Sequence, residues 1–271
     1  MNMNRSLQIG LVICGSVLIT ALGIDAFDTA AGSRTTLLGQ LIQSGDGGEC
    51  PAGMVAVPAA QTFTCVDIYE ASPTAECPHA VPQTAMHTQA NLSERSCGAA
   101  AVSDVHPWTY VTREQAAALC TRAGKRLPTA AEWHSVAVGS DYGDDACVTD
   151  ARQAQLTGSQ PDCVSEAGVY DAVGNVWEWV SDDVFDGQYN DRALPASGYV
   201  SQVDAGGVPT NTTEDPIDAY YGDYFWSAPE GTYGMIRGGF YGSRTDAGVY
   251  AVHAHTDPNS ATRGIGFRCV L

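Results

Sequence analysis

One stretch constrains this chain more than any other: Gly168-Val-Tyr-Asp-Ala-Val-Gly-Asn-Val-Trp-Glu-Trp-Val-Ser-Asp182. Trp177 and Trp179 flank Glu178, and alternation of that kind sets both indoles on one face of a strand. Two such rings need a large core to receive them. The strand is entered through a turn at Gly174-Asn175. Around it, Asp171 and Glu178 supply carboxylates, and the Gly174–Val176 turn can aim backbone carbonyls at the same point. An all-oxygen donor set of this kind suits Ca²⁺. The alternative is a β-turn in which Glu178 pairs with a buried arginine.

The core that this strand requires is within reach of 271 residues of which 44% are hydrophobic. Charge narrows the partners. Thirteen basic residues, of which Lys125 is the single lysine, face 31 acidic ones, for a formal net charge of −18. A phosphate backbone would repel such a chain, so nucleic acid is excluded as a partner. Nine cysteines are many for a reducing compartment. Cys14 lies in an N-terminal apolar run; the other eight, Cys50, Cys65, Cys77, Cys97, Cys120, Cys147, Cys163 and Cys269, form an even set with no CxxC pair. That pattern argues for an exported, disulfide-bonded domain rather than a zinc site.

Residues 1–24 read as a signal peptide or a membrane anchor: a short basic head, then the apolar run Leu7–Ile24. A retained anchor is slightly favoured, which would leave the domain on the periplasmic or outer face of a membrane; cleavage would make it secreted. Residues 25–49 read as a linker with a helical extension over Thr36–Gln43, closed by Ser44-Gly-Asp-Gly-Gly48. The folded domain is expected over 50–271. Within it Met54–Val57 and Phe63–Tyr69 read as strands. Ser72–Val105 reads as irregular and held by a disulfide. Thr112 with Gln115, and Thr129 with Glu132, have the capping-box spacing and predict two short helices, one to about Arg122 with Gly124 capping it, the other through Val136. Phe185–Tyr233 reads as a long acidic loop whose many aromatics argue against disorder.

Five ordered motifs carry a resemblance: Gly53-Met-Val-Ala-Val-Pro58, Ala117-Ala-Leu-Cys-Thr-Arg-Ala-Gly-Lys-Arg-Leu-Pro-Thr-Ala-Ala-Glu-Trp133, the tryptophan stretch above, Ile236-Arg-Gly-Gly-Phe240 and Gly264-Ile-Gly-Phe-Arg-Cys269. Together they resemble the formylglycine-generating enzyme (sulfatase-modifying factor) family. The resemblance implies an α+β, C-type-lectin-like fold with short strands, two or three short helices and much irregular loop, here preceded by one N-terminal hydrophobic helix. Matched residue by residue, it implies a structural Ca²⁺ site at Asp171, Gly174, Val176 and Glu178. It also sets Cys120 beside Cys269. The remaining cysteines are expected to pair locally, Cys50 with Cys65, Cys77 with Cys97 and Cys147 with Cys163.

Catalytic members of that family bind copper through two cysteines just after Arg-Gly-Gly, as soft thiolates suit Cu(I). Here Phe240–His255 holds no cysteine; Ser243 stands near the first position, and a hydroxyl cannot replace a thiolate. His253 and His255 could grip a metal as an HxH pair, but no third ligand lies at a diagnostic spacing. Binding rather than conversion is therefore expected, in a groove lined by Phe240, Tyr241, Arg244, Tyr250, His253 and His255 and roofed by Tyr220, Tyr221, Tyr224 and Trp226. A protein or glycan ligand, or other subunits of a membrane complex, would be the partner. An enzyme with altered chemistry, or a retroelement-diversified ligand-binding protein that varies this same stretch, are the alternatives.

Overall fold

The computed structural model describes residues 50–140 and 146–271. The expected N-terminal hydrophobic helix and the Thr36–Gln43 extension lie outside the described residues. Glu49–Leu271 groups as one unit.

The tryptophan strand is the middle of the molecule. As β5 (Trp177–Phe185) it lies in a nine-stranded mixed sheet. Around it stand β6 (Gln188–Tyr189), β7 (Arg192–Ala193), β8 (Gly198–Val203), β9 (Pro209–Thr213), β10 (Tyr224–Trp226), β11 (Thr232–Arg237), β12 (Val252–Thr256) and β13 (Ile265–Gly266). The order is β7-β6-β5-β11-β12-β10-β8-β9, with β13 paired to β5. The β10–β12 and β13–β5 pairs are parallel and the rest antiparallel. Two small two-stranded sheets flank it, β1 (Met54–Ala56) with β2 (Cys65–Asp67), and β3 (Ala71–Pro73) with β4 (Ala99–Ala101).

Among the described residues there are three α-helices: α1 (Ala85–Ser93), α2 (Arg113–Arg122) and α3 (Ala130–Ala137). None is long and apolar enough to cross a membrane. Both expected capping boxes are present. Thr112 Oγ1 accepts from Gln115 N while Gln115 Oε1 accepts from Thr112 N, and Thr129 with Glu132 repeats the arrangement. Gly124 follows α2 with φ +71°, the left-handed residue that ends a helix.

Alternation along β5 divides the core between the two faces of the sheet. Trp177 and Trp179 share one cluster with Leu119 and Cys120 of α2, Ile236 and Phe267. Val180 and Val184 share the other with Trp133 and Val136 of α3, Met235, Phe225, Val252 and Ala254. The four disulfides join Cys50–Cys65, Cys77–Cys97, Cys120–Cys269 and Cys147–Cys163, the expected pairs.

Two expectations need correction. Ser72–Val105 is not simply irregular: it holds β4 and α1, whose N-cap Thr84 accepts from His87 N. Phe185–Tyr233 is not a loop but five strands, β6 to β10. They are short, and β6, β7 and β9 are polar, as in Pro-Thr-Asn-Thr-Thr of β9, so these lack an apolar run to announce them.

Candidate functional site

The turn before β5 comes first because it fixes where everything after it points. Gly174 and Asn175 both have positive φ, +78° and +48°. At Gly174 a Cβ would run into the Val148 carbonyl, so the position admits glycine alone. Asn175 Nδ2 donates to Glu70 Oε2 (2.6 Å), and Val176 N donates to Glu70 Oε1 (3.1 Å). Glu70, in the link between β2 and β3, thus closes the turn from more than a hundred residues earlier.

Of the four residues in the implied calcium set, Asp171 and Glu178 are buried, and Gly174 and Val176 contribute carbonyls on the same turn. The donors are of the hard-oxygen kind that fits Ca²⁺. Glu178, however, is already engaged. Arg268 grips it with Nη2 to Oε1 (2.5 Å) and Nε to Oε2 (2.7 Å), and Trp133 Nε1 donates to Oε2 (2.6 Å). Both partners of this ion pair are fully buried. Asp171 Oδ2 accepts from Gly158 N (2.6 Å). Burial raises the Asp171 carboxyl to about 6, and burial beside Asp171 and Glu178 pushes Glu70 well above the usual carboxylate range. Among the described residues no group of three His, Cys, Asp or Glu is arranged to hold a metal. A cation on this turn would therefore rely on Asp171 and the Gly174 and Val176 carbonyls, with Glu178 shared with Arg268.

The Arg-Gly-Gly motif is a clamp. Arg237 is fully buried; Nη1 donates to Ala130 O (2.9 Å) and Gly206 O (3.1 Å), and Nη2 to Gly207 O and Val249 O (both 2.9 Å). Its guanidinium also lies 5.0 Å from the Trp133 ring centre. Just beyond it, Ser243 Oγ accepts from Phe240 N (3.0 Å), which is a turn contact. All eight cysteines among the described residues are disulfide-bonded, so none offers a thiolate.

The expected groove residues fall into separate groups. Tyr241 is 3% exposed and lines a small cleft with Tyr110 and Arg263; Phe240 packs edge-on against it at 4.9 Å. Arg244 is exposed and makes a loose pair with exposed Asp150 at 3.3 Å. Tyr250 meets Tyr220 edge-on at 5.1 Å, and both pack toward the α3 side of the sheet. Tyr221 caps a short 3₁₀ turn over Asp218–Tyr220 and is exposed.

Trp226, Tyr224, His253 and His255 do come together, and on the opposite face. On β12 Val252 and Ala254 point into the α3-side core, leaving His253 and His255 outward; on β10 Phe225 points in, leaving Tyr224 and Trp226 outward. Tyr199 on β8, not among the expected residues, pairs in register with Tyr224, and Trp226 pairs with His253. Ring centres step from Tyr199 to Tyr224 (5.1 Å), to Trp226 (4.7 Å), to His253 (5.7 Å) and to His255 (4.1 Å). All five rings are partly exposed. Trp177 backs the row, edge-on to Trp226 at 5.7 Å. Burial, with His255 alongside, lowers His253 to about 4, so at neutral pH its ring is uncharged and His253 Nδ1 bonds Thr256 Oγ1 (2.7 Å). The alternating Tyr224-Phe-Trp226 pattern was a signal for half this row. Tyr199 required the strand register.

The chain is 28% identical over 191 residues to a formylglycine-generating enzyme of Thermomonospora curvata, covering 60% of this chain and 55% of that one. It is 30% identical over 173 residues to the serine/threonine-protein kinase Pkn1 of Chlamydia trachomatis, covering 60% of this chain and 24% of the kinase. The chain thus spans about half the length of the first relative and a quarter of the second. Among solved structures, the Major Tropism Determinant P3c variant aligns with TM-score 0.47 at 22% identity, over 82% of this chain and 52% of that one. PvdO from Pseudomonas aeruginosa aligns with TM-score 0.37 at 18% identity, over 80% and 89%. Residues 54–271 match the model of the sulfatase-modifying factor enzyme 1-like domain, and the chain belongs to that family.

Proposed function

We propose that this chain is a non-catalytic, exported binding or assembly module that engages a macromolecular partner through the outward aromatic row of β8, β10 and β12. One observation carries the non-catalytic part. The segment after Arg-Gly-Gly has no cysteine, and every cysteine among the described residues is consumed in a disulfide, so the domain offers no thiol for copper chemistry. The disulfides point to an oxidising, extracytoplasmic compartment. A retained N-terminal anchor would hold the module at a membrane surface, where a protein or glycan ligand or a subunit of a membrane complex could meet it. The purified chain, supplied with copper and a sulfatase-type cysteine peptide, is expected to yield no formylglycine; aldehyde above a no-enzyme control overturns the reading in favour of an enzyme with altered chemistry.

Calcium belongs to the same proposal in a structural role, through Asp171, the Gly174 and Val176 carbonyls and Glu178. A ligand raises stability only in the state that binds it. The wild-type chain should then melt higher in calcium than in chelator, and Asp171→Ala should abolish the difference. Identical melting in both would assign the turn to the Arg268 pair alone.

A further inference from the structure

Resting on the binding reading, the charge around the aromatic row narrows the partner. The row runs over three neighbouring strands, and its Trp226 also packs against the α2-side core cluster. No lysine or arginine occurs from Gly198 to Trp226 or from Val252 to Thr256. Each end of the row is acidic instead. Tyr199 pairs in register with Thr213, the last residue of β9, and exposed Glu214 and Asp215 follow at once. At the other end, exposed Asp257 stands two residues past His255. Burial keeps the His253 ring in the middle of the row uncharged at neutral pH, so it does not oppose an incoming cation.

We propose that this face docks an extended, cationic segment of a partner protein. Its arginine or lysine side chains would lie over the Tyr224, Trp226 and His253 rings, and further basic residues would meet Glu214 and Asp215 at one end and Asp257 at the other. Charge complementarity is the argument: aromatic faces bounded by carboxylates attract cations twice, by the ring quadrupole and by the ion pairs at the rim. A neutral glycan would gain from the rings but nothing from the carboxylates. An acidic partner would be repelled by a chain of net charge −18.

The test uses the full chain and a labelled arginine–serine repeat peptide, with a glutamate–serine repeat and a chitin oligosaccharide as the contrasting probes. The arginine peptide is expected to bind and to quench tryptophan fluorescence. Its affinity should fall about tenfold in Trp226→Ala, a loss of about 1.4 kcal/mol. Tyr199→Ala, at the open end of the row, should weaken it with an unchanged melting temperature, so that a folding defect at Trp226 does not decide the matter. Binding that disappears with salt yet survives both ring substitutions shows unspecific attraction to an acidic protein and overturns the docking proposal. Oligosaccharide binding that is lost in Trp226→Ala, without arginine-peptide binding, overturns the cationic partner while leaving the binding module intact. Formylglycine production would instead strike the non-catalytic reading on which both rest.

Discussion

Arg268 and Glu178 are 90 residues apart in the chain and wholly buried together, with Glu70 and Asp171 beside them. One guanidinium therefore answers to three carboxyls, and that count decides which substitution hurts more. Arg268→Met leaves the carboxyl cluster with no counter-charge; the cost should be about 3–5 kcal/mol, the range for breaking a buried pair. Glu178→Gln leaves the guanidinium with two carboxyls still near and keeps an acceptor for Trp133, so it should cost less. Urea unfolding of the two variants checks the order; equal losses would mean that Glu70 and Asp171 contribute nothing to holding Arg268. The histidines set a pH dependence of definite sign. Burial lowers both His253, beside His255, and His134, near Arg237, to about 4 from the ordinary histidine value of 6.5. In that window these two rings bind protons in the unfolded chain but not in the folded one, so their contribution is complete above about 6.5 and is lost as pH falls toward 4, while the buried Asp171 carboxyl, raised to about 6, acts in the opposite sense. The loss should be on the order of a few kcal/mol for the two together. Relative to wild type, His253→Asn should lose less melting temperature as pH falls across that range, and parallel profiles for the two chains would count against a neutral buried ring.

Among the elements, the Cys120–Cys269 disulfide ties the end of α2 to the C-terminus across 149 residues, the longest loop of the four. In the chain-entropy model such a closure constrains the unfolded state by about 5 kcal/mol, against about 3 kcal/mol for the short loops of Cys50–Cys65 or Cys147–Cys163. The Cys120→Ala/Cys269→Ala pair of substitutions should therefore lower stability most in denaturant titration; a smaller loss than from Cys50→Ala/Cys65→Ala would contradict that account. Elements with a local chemical signature were legible in advance. Thr112 and Thr129 start helices by hydrogen bonds to residues three positions on, and Trp177 and Trp179 declare a strand face by alternation. Helix α1 was not legible, because Ala-Met-His-Thr-Gln-Ala-Asn-Leu-Ser has few apolar residues and no capping box. Its buried residues are Thr88 and Asn91, placed by hydrogen bonds to Trp108 and to His79. The site divides in the same way. The outward positions of Tyr224, Trp226, His253 and His255 follow from period-2 spacing, whereas their union with Tyr199 depends on which strands become neighbours, a property of the sheet order.

The described residues hold little regular secondary structure for their number, and the C-terminal segment is fastened to the first strands and to the middle of the domain. Leu271 O accepts from Thr64 N and Cys65 N, Arg126 and Val270 exchange both backbone bonds, and Arg268 reaches the turn before β5. Contacts of such long sequence separation reward the chain only after the loops between them have closed, and loop closure costs entropy. The covalent links lower that cost by restricting the unfolded chain, and with 31 acidic residues against 13 basic ones the compact state also works against its own charge. Folding should accordingly depend on the compartment. Produced as the full chain in an oxidising periplasm, it should be recovered soluble, with the eight domain cysteines protected from alkylation. Produced as residues 50–271 in a reducing cytosol, it should expose alkylatable thiols and be cleared or aggregated, with a several-fold lower soluble yield. Both effects are read in one experiment by quantifying soluble protein and mapping alkylated peptides from the two preparations. Equal yields with eight free thiols in the cytosolic sample would show that the sheet and its buried ion pair hold the fold unaided. The disulfides would then no longer argue for export.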